Sequence, residues 1–232
     1  MKTEVKMSFN SVEFLLFLPL TVVLYRVLPH KFRWIVLLIA SYLFYMSWNV
    51  WLAALISVTT ITAYVSALGI ERATSKSSKR IWLAVALIVC LGLLIFFKYI
   101  NFLLENLFGV LRLFGSTRET PVLKVLLPVG ISFYTFQTLS YVVDVYRGDF
   151  PAERHIGYFA LYVSYFPQLV AGPIERPQDL LPQLHAEHPF DIEDIVAGVR
   201  YLISGFIRKC VIADFCGIFV DKVYSNLGTS NG

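Results

Sequence analysis

Phe166 to Leu184 reads FPQLVAGPIERPQDLLPQL, and the reading of this stretch decides what kind of helical protein the chain forms. It follows YFALYVSY (Tyr158 to Tyr165), a run apolar enough for a membrane, yet it holds four prolines, a Gly172-Pro173 step and an adjacent Glu175-Arg176 pair. Proline lacks a backbone N–H and disfavours helix at the residue before it, so the chain must leave helical geometry at Gly172. Non-helical backbone at membrane depth survives only where protein or a water-filled cavity covers it. Two readings follow. Either the helix ends at the surface and Pro177 and Pro182 shape an interfacial loop, or the break lies at depth and faces a polar passage.

Working outward, hydrophobic residues make up 57% of the 232, charged residues 16%, and mean hydropathy is +0.66, whereas a soluble domain carries about 25% charge. This composition specifies an integral membrane protein. The aromatic share of 16% agrees, since Tyr and Trp favour the headgroup level. The net charge of +4 is scattered along the chain, so it reads as loop charge that orients the protein and not as a nucleic-acid surface. Cys90, Cys210 and Cys216 form no C-x-x-C pair and no even framework, which leaves buried thiols as the expectation. The apolar run from Phe14 to Leu28 has the outline of a signal peptide, but Pro29-His30-Lys31-Phe32-Arg33 follows it and offers no small-x-small cleavage site, so it reads as an uncleaved first helix.

Crossing about 30 Å of hydrocarbon takes roughly 20 apolar residues. By that measure spans fall near 12–29, 34–48, 50–70, 81–98, 122–146, 156–173 and 195–220, and the more polar 100–114 (Asn101, Glu105, Asn106, Arg112) is placed in the interface. The expected architecture is therefore all-α: one polytopic bundle over 1–232 with seven spans and an interfacial or re-entrant segment. Trp48-Asn49-Val50-Trp51 makes a tight hairpin between the second and third spans. The connection Arg26 to Arg33 holds three Lys/Arg, and Glu71 to Arg80 holds four against one acid. Both should face the cytoplasm, which puts the N-terminus outside.

Lys124 and Asp144 bracket the 122–146 span, twenty residues or about 30 Å apart. Tyr134, Gln137, Tyr141 and Asp144 then fall on one helix face at spacings of three, four and three, with Pro128 and Gly130 predicting a kink near its start. Such a stripe faces protein or water, not lipid. It serves either interhelical hydrogen bonding or a substrate cavity, and Gln168, in the apolar run that ends at Gly172, is its natural companion. Farther on, Arg200, Ser204 and Arg208 recur at i, i+4 and i+8, as snorkelling anchors or as a stripe for phosphate groups.

Other chemistry is excluded. His185-Ala186-Glu187-His188 lacks the H-E-x-x-H frame, and Pro182 and Pro189 around it suggest a loop, so no metal site is expected. His30 and His155 flank spans beside charged neighbours and read as interfacial. No G-x-S-x-G, Walker A or G-x-G-x-x-G occurs. Residue chemistry alone stops at a polytopic membrane protein with a polar interior, enzyme or transporter.

FPQLVAGPIERPQDLLPQL resembles the signature of the membrane-bound O-acyltransferase family, in its bacterial polysaccharide-acetylating branch. Further stretches match in order: MSFNSVEFLLFLPL from Met7, FFKYINFL at 96–103, LPVGISFYTFQTLSYVVDVYRGDF at 127–150 and RKCVIADFCGIFVDKVY at 208–224. The match from Met7 marks that residue as a candidate initiator. The resemblance implies a ring of spanning and re-entrant helices around a tunnel. An acyl group would enter it from a cytosolic donor, acetyl-CoA in this branch, and would pass toward a polysaccharide acceptor such as alginate, with a histidine as general base on the acceptor hydroxyl.

Carried over by position, the implied tunnel residues are Gln168, Gly172, Pro173, Glu175 and Arg176, with Ser132, Tyr134, Gln137 and Asp144 on the preceding helix. The implied location is the bacterial inner membrane. The implied partners, besides membrane lipid, are a periplasmic acetyltransferase of the SGNH-hydrolase type and the acceptor polysaccharide. No bound cofactor and no nucleic acid are expected. The family's catalytic histidine stands in a Trp-His-Gly motif in the second half of longer chains, and here none of His30, His155, His185 and His188 follows a Trp or precedes a Gly. The expectation is thus the N-terminal half of such an enzyme, ending in the loop-like Thr229-Ser230-Asn231-Gly232, catalytically incomplete without a C-terminal half or split partner. A non-catalytic transport or scaffold subunit is the alternative.

Overall fold

The computed structural model describes residues 7–114, 121–123, 125, 127–170 and 172–225. Lys124, the residues before Met7 and the segment Thr229–Gly232 lie outside these. The described chain is all-α: α1 Val12–Val27, α2 His30–Met46, α3 Val50–Arg72, α4 Lys76–Leu113, α5 Ile131–Arg147, α6 Ile156–Ser164, α7 Phe166–Leu169, α8 Pro177–His185 and α9 Ile192–Phe206, followed by a π-helical segment Ile207–Ala213 and α10 Asp214–Ser225. It forms two compact units, one holding Val23–Ala186, the other Met7–Val22 and the chain from Glu187 onward. Two of the described helices, Val50–Arg72 and Lys76–Leu113, are long and apolar enough to cross a membrane. With the composition, they make this a membrane protein.

The larger unit is built on α3, which packs against both α4 and α5. Lipid offers no hydrophobic drive for helix association, so membrane helices pair through small residues that let backbones approach. Ala63, Ser66, Ala67 and Gly69 supply such a face on α3, beside Ile56 and Ile70, and it meets Ala86, Cys90 and Leu94 of α4 and Tyr141 and Val142 of α5, all buried except Gly69. At Gly69 the approach is closest: a Cβ there would lie 2.4 Å from the Trp82 ring. The turn before α3 is the tight one expected, with the Asn49 side chain accepting from Trp51 N at 2.9 Å.

Several element boundaries differ from the sequence expectation, each for a physical reason. Segments 81–98 and 100–114 are one helix of 38 residues, α4, about 57 Å long. The polar residues that pointed to the interface do not interrupt it. Instead Asn101 donates from Nδ2 to Leu123 O and accepts from Leu123 N, both at 2.9 Å, and so ties the following extended segment to α4. The expected span 122–146 is helical only from Ile131. Gly130 stands at φ +75° immediately before it, so Pro128 and Gly130 start the helix where a kink was expected.

The expected span 156–173 is also corrected. Its helix α6 has nine residues, about 13 Å, and ends at Ser164. The expected break was at Gly172, but Pro167 acts first, because a proline ring collides with the carbonyl four residues back, here that of Val163. The stretch around Pro182, expected as loop, is the helix α8: Pro177 takes its first position, where the missing N–H costs nothing, and Leu181 is buried at 1% exposure.

At one end of this unit lie both basic connections. Trp34, just past the first, has its ring 4.9 Å from that of His155, and Glu71, at the start of the second, pairs with Arg154 at 2.9 Å. Tyr64 of α3 adds a hydroxyl hydrogen bond to Arg154 O at 2.6 Å.

In the smaller unit, α9, the π segment and α10 contain no buried residue. Cys210 and Cys216 are accordingly exposed, against the expectation of buried thiols, while Cys90 is buried. The α-helical register that aligned Arg200, Ser204 and Arg208 ends at Phe206, and an ion pair between Lys209 and Asp214, five residues apart, follows the wider π turn.

Replacing Gly69 with Ala should lower stability by about 1–3 kcal/mol, the range for overpacking. The double variant Gly69→Ala/Trp82→Ala should lose less than the sum of the two single changes. Unfolding midpoints in detergent, compared across this cycle, check both.

Candidate functional site

The chain from His155 to His185 forms a hairpin that leaves one end of the larger unit and returns to it. His155 caps the outgoing helix α6, its Nδ1 accepting from Tyr158 N at 3.3 Å. The hairpin reverses at Tyr165 and α7, where Phe166 N donates to Ser41 Oγ at 3.2 Å and the rings of Phe44 and Phe166 stand 5.8 Å apart. Ser41 lies eleven residues along α2 from His30, about 16 Å into the bundle. The chain comes back through the extended Pro173–Arg176 to α8, and His185 Nε2 ends 2.9 Å from Glu153 Oε2.

Breaking α6 after Ser164 frees carbonyls that would otherwise accept from the next turn. That of Tyr162 receives two side-chain amides: Gln137 Nε2 from α5 at 2.9 Å and Gln168 Nε2 from α7 at 3.3 Å. Both glutamines are buried, at 4% and 8% exposure. The two polar residues singled out on separate stretches of sequence thus converge on one backbone oxygen. The Tyr162 hydroxyl then donates to Glu175 O at 2.9 Å, so one residue of α6 joins α5, the turn and the returning strand.

The stripe on α5 faces this hairpin and the chain leading into it at three levels. Gln137 reaches Tyr162, the Tyr141 hydroxyl accepts from Glu153 N at 2.8 Å, and Asp144 Oδ2 accepts from Gln178 Nε2 at 3.2 Å. Tyr134, at the deeper end, meets the ring of Tyr45 edge-on at 6.4 Å, and the Tyr45 hydroxyl donates to Val129 O at 2.8 Å. Gly130 is fixed from two sides: its φ of +75° disfavours any side chain, and a Cβ would stand 2.6 Å from Leu169 O. Gly172 closes the turn through its N–H to Gln168 O at 2.9 Å, and a Cβ there would meet Gln168 Cα at 2.5 Å.

Not every candidate joins this cluster. Ser132 accepts instead from Lys98 Nζ of α4 at 3.2 Å. Pro173 and Arg176 are exposed and Glu175 is half-buried. Neither Glu175 nor Arg176 joins an ion pair among the described residues. Sequence reading missed Lys98, although a lysine within FFKYINF is itself a signal. It also missed Ser41, Tyr162 and the Glu153–His185 pair, whose partners lie far apart along the chain. Among the described residues no group of three metal-ligating side chains comes together.

This arrangement defines a helical membrane protein with a proline-broken hairpin folded into its bundle. No family model matches the chain, and no solved structure matches it. Curated proteins do. The chain is 40% identical over 223 residues to the protein named probable alginate O-acetylase AlgI of Azotobacter vinelandii, covering 94% of this chain and 44% of that protein. It is 38% identical over 233 residues to the protein of the same name from Pseudomonas putida, covering 97% and 47%. To the peptidoglycan O-acetyltransferase of Helicobacter pylori it is 33% identical over 214 residues, covering 81% and 39%. The chain belongs with them to the membrane-bound O-acyltransferase family. It spans less than half the length of each of these relatives.

Since Gln137 and Gln168 serve the same carbonyl, Gln137→Leu or Gln168→Leu alone should cost less than about 1 kcal/mol, because one donor remains. The double variant leaves the Tyr162 carbonyl orphaned and should exceed the sum of the singles by about 1–3 kcal/mol. A double-mutant cycle on unfolding in detergent measures that coupling.

Proposed function

We propose that this chain is the part of a bacterial inner-membrane O-acetyltransferase that builds the entry side of an acyl-transfer passage. The observation that carries the reading is the hairpin 155–185, which lies within the segment shared with the relatives named as alginate and peptidoglycan O-acetylating proteins. In this topology α1 to α5 cross the membrane, and α6 to α8 form a re-entrant hairpin that enters and leaves on the cytosolic side. The grouping of both basic connections at the His155 end supports that orientation. The helix starting at Ile192 supplies a further crossing.

The donor is acetyl-CoA and the acceptor a hydroxyl of an exopolysaccharide such as alginate, reached through a periplasmic acetyltransferase of the SGNH-hydrolase type. In this chain's own residues, the half-buried Glu175 and the exposed Arg176 present charge where the returning strand leaves the bundle. Gln137, Gln168 and Tyr162 hold that strand in place. The cation of Arg176 suits the phosphates of an acyl-CoA, which it can bind bidentately. The general base on the acceptor is contributed by the histidine of the family's Trp-His-Gly motif, outside this chain.

With Arg176→Ala at the native locus, the O-acetyl content of secreted polysaccharide should fall about tenfold or more, the loss of one charge-assisted hydrogen bond. Membrane abundance on immunoblots should hold, and Arg176→Lys should recover part of the activity. Unchanged acetylation at full abundance removes Arg176 from the passage, and acetylation that survives deletion of the gene removes the enzyme reading altogether.

A further inference from the structure

Between Arg80 and Glu105 the helix α4 carries one charge, Lys98, set in the run FFKYINF. Eighteen residues, about 27 Å, separate it from Arg80, close to one hydrocarbon thickness. Lys98 therefore stands at the opposite side of the crossing from the basic connections. A snorkelling lysine extends its ammonium to water, but here Nζ turns sideways and donates to Ser132 Oγ at 3.2 Å, in the first turn of α5. It also lies 5.3 Å from the centre of the Tyr99 ring. An ammonium has three donors, and among the described residues no carboxylate pairs with this one. The next acids along the two helices are Glu105, seven residues from Lys98, and Asp144, twelve from Ser132, or about 10 and 18 Å away.

The surface around this pair is apolar. Ile95 and Tyr99 on α4 and Phe133 and Phe136 on α5 fall within one helical turn of Lys98 or Ser132, and each is more than 40% exposed. On a membrane protein such side chains meet lipid, and a tyrosine among them marks the headgroup level. We propose that Lys98 and Ser132 form a binding site for the phosphate of a phospholipid, in the leaflet away from the basic connections. Nζ supplies the charge and further donors, and Ser132 Oγ, which accepts from it, keeps its own O–H to donate to the same phosphate. Ile95 and Phe136 lie one turn nearer the bilayer centre and suit the acyl chains.

The electrostatics favour an anion here, and the packing gives it a consequence. Ser132 is the second residue of α5, at the positive end of that helix, so the ammonium beside it raises a potential that a phosphate lowers. Gly130, two residues earlier, packs against Leu169 O of the hairpin turn. A lipid joining α4 to the start of α5 thus braces the end of the bundle on which the turn rests. The site stands on helix packing alone and does not draw on the reaction assigned to the chain.

Unfolding midpoints of the full chain in detergent, titrated with dioleoyl phosphatidylglycerol, test the site. The midpoint should rise with this lipid and not with dioleoylglycerol, which has the same chains and no phosphate. Lys98→Met should raise the lipid concentration for half the rise about tenfold, the loss of one charge-assisted hydrogen bond. Ser132→Ala should raise it about threefold, as the weaker neutral donor, and Lys98→Arg should stay near wild type. The double variant Lys76→Gln/Lys79→Gln, at the other side of the membrane, should also stay near wild type. If it loses the response while Lys98→Met keeps an unchanged half-point, the lipid belongs to the basic connection and the proposal falls. The proposal falls too if dioleoylglycerol stabilises equally, or if inorganic phosphate at millimolar concentration replaces the lipid. Should Lys98→Met show no cooperative unfolding, Ser132→Ala decides, and an unchanged half-point there overturns the site. No acyl donor enters the measurement, so either result leaves the acyltransferase reading to its own test.

Discussion

A helix interrupted away from water must find donors for the carbonyls it frees, and in an apolar bundle each one left bare costs several kcal/mol. In this chain the requirement falls on Tyr162. Its carbonyl takes the amides of Gln137 and Gln168, which fixes how far along α5 the hairpin can sit. That placement brings Leu169 O against Gly130, where only a glycine leaves room. Ser41 of α2 meets the first amide after the break, and its own hydroxyl donates to Leu37 O at 2.7 Å. The buried hydrogen bonds thus tie the turn to α2 on one side and to α5 on the other, and the packing of α2, α5, α6 and α7 follows from satisfying them.

How much of this was legible in the sequence depended on whether the deciding contact was local. The all-α class, the tight turn at Asn49 and α3 follow from hydropathy and from residues next to one another, and all three agree with the structure. The polar stripe on α5 was readable as a face because helical periodicity is local too. Its partners were not: Glu153 lies in the loop after the helix, and Tyr162 and Gln178 reach it only through the hairpin. The break was anticipated at Gly172, where Gly-Pro is the louder signal, although Pro167 already forbids continuing from Val163. Asn101 misled in the opposite way. An amide in an apolar run reads as interfacial until Leu123, twenty-two residues on, supplies a backbone donor and acceptor for it.

The candidate site divides along the same line. Gln137, Gln168 and Gly172 are positions where the backbone itself demands a particular residue: two amides for one carbonyl, and no Cβ beside Gln168. Proteins that share this broken hairpin would need them whether or not they transfer an acyl group. Glu175 and Arg176 are different. The strand uses Glu175 through its backbone carbonyl alone, and no described ion pair requires either charge.

Stability is also graded along the hairpin. The turn is held by buried hydrogen bonds to Ser41, Gln137 and Gln168, whereas the returning arm, residues 172–185, is fastened near its end by Gln178 to Asp144 and by His185 to Glu153, both at more exposed positions. Local opening draws on the least protected contacts first, so the arm can loosen at its mouth while the turn stays fixed. The residues that would then move are Glu175 and Arg176, and the residue newly uncovered is Asp144.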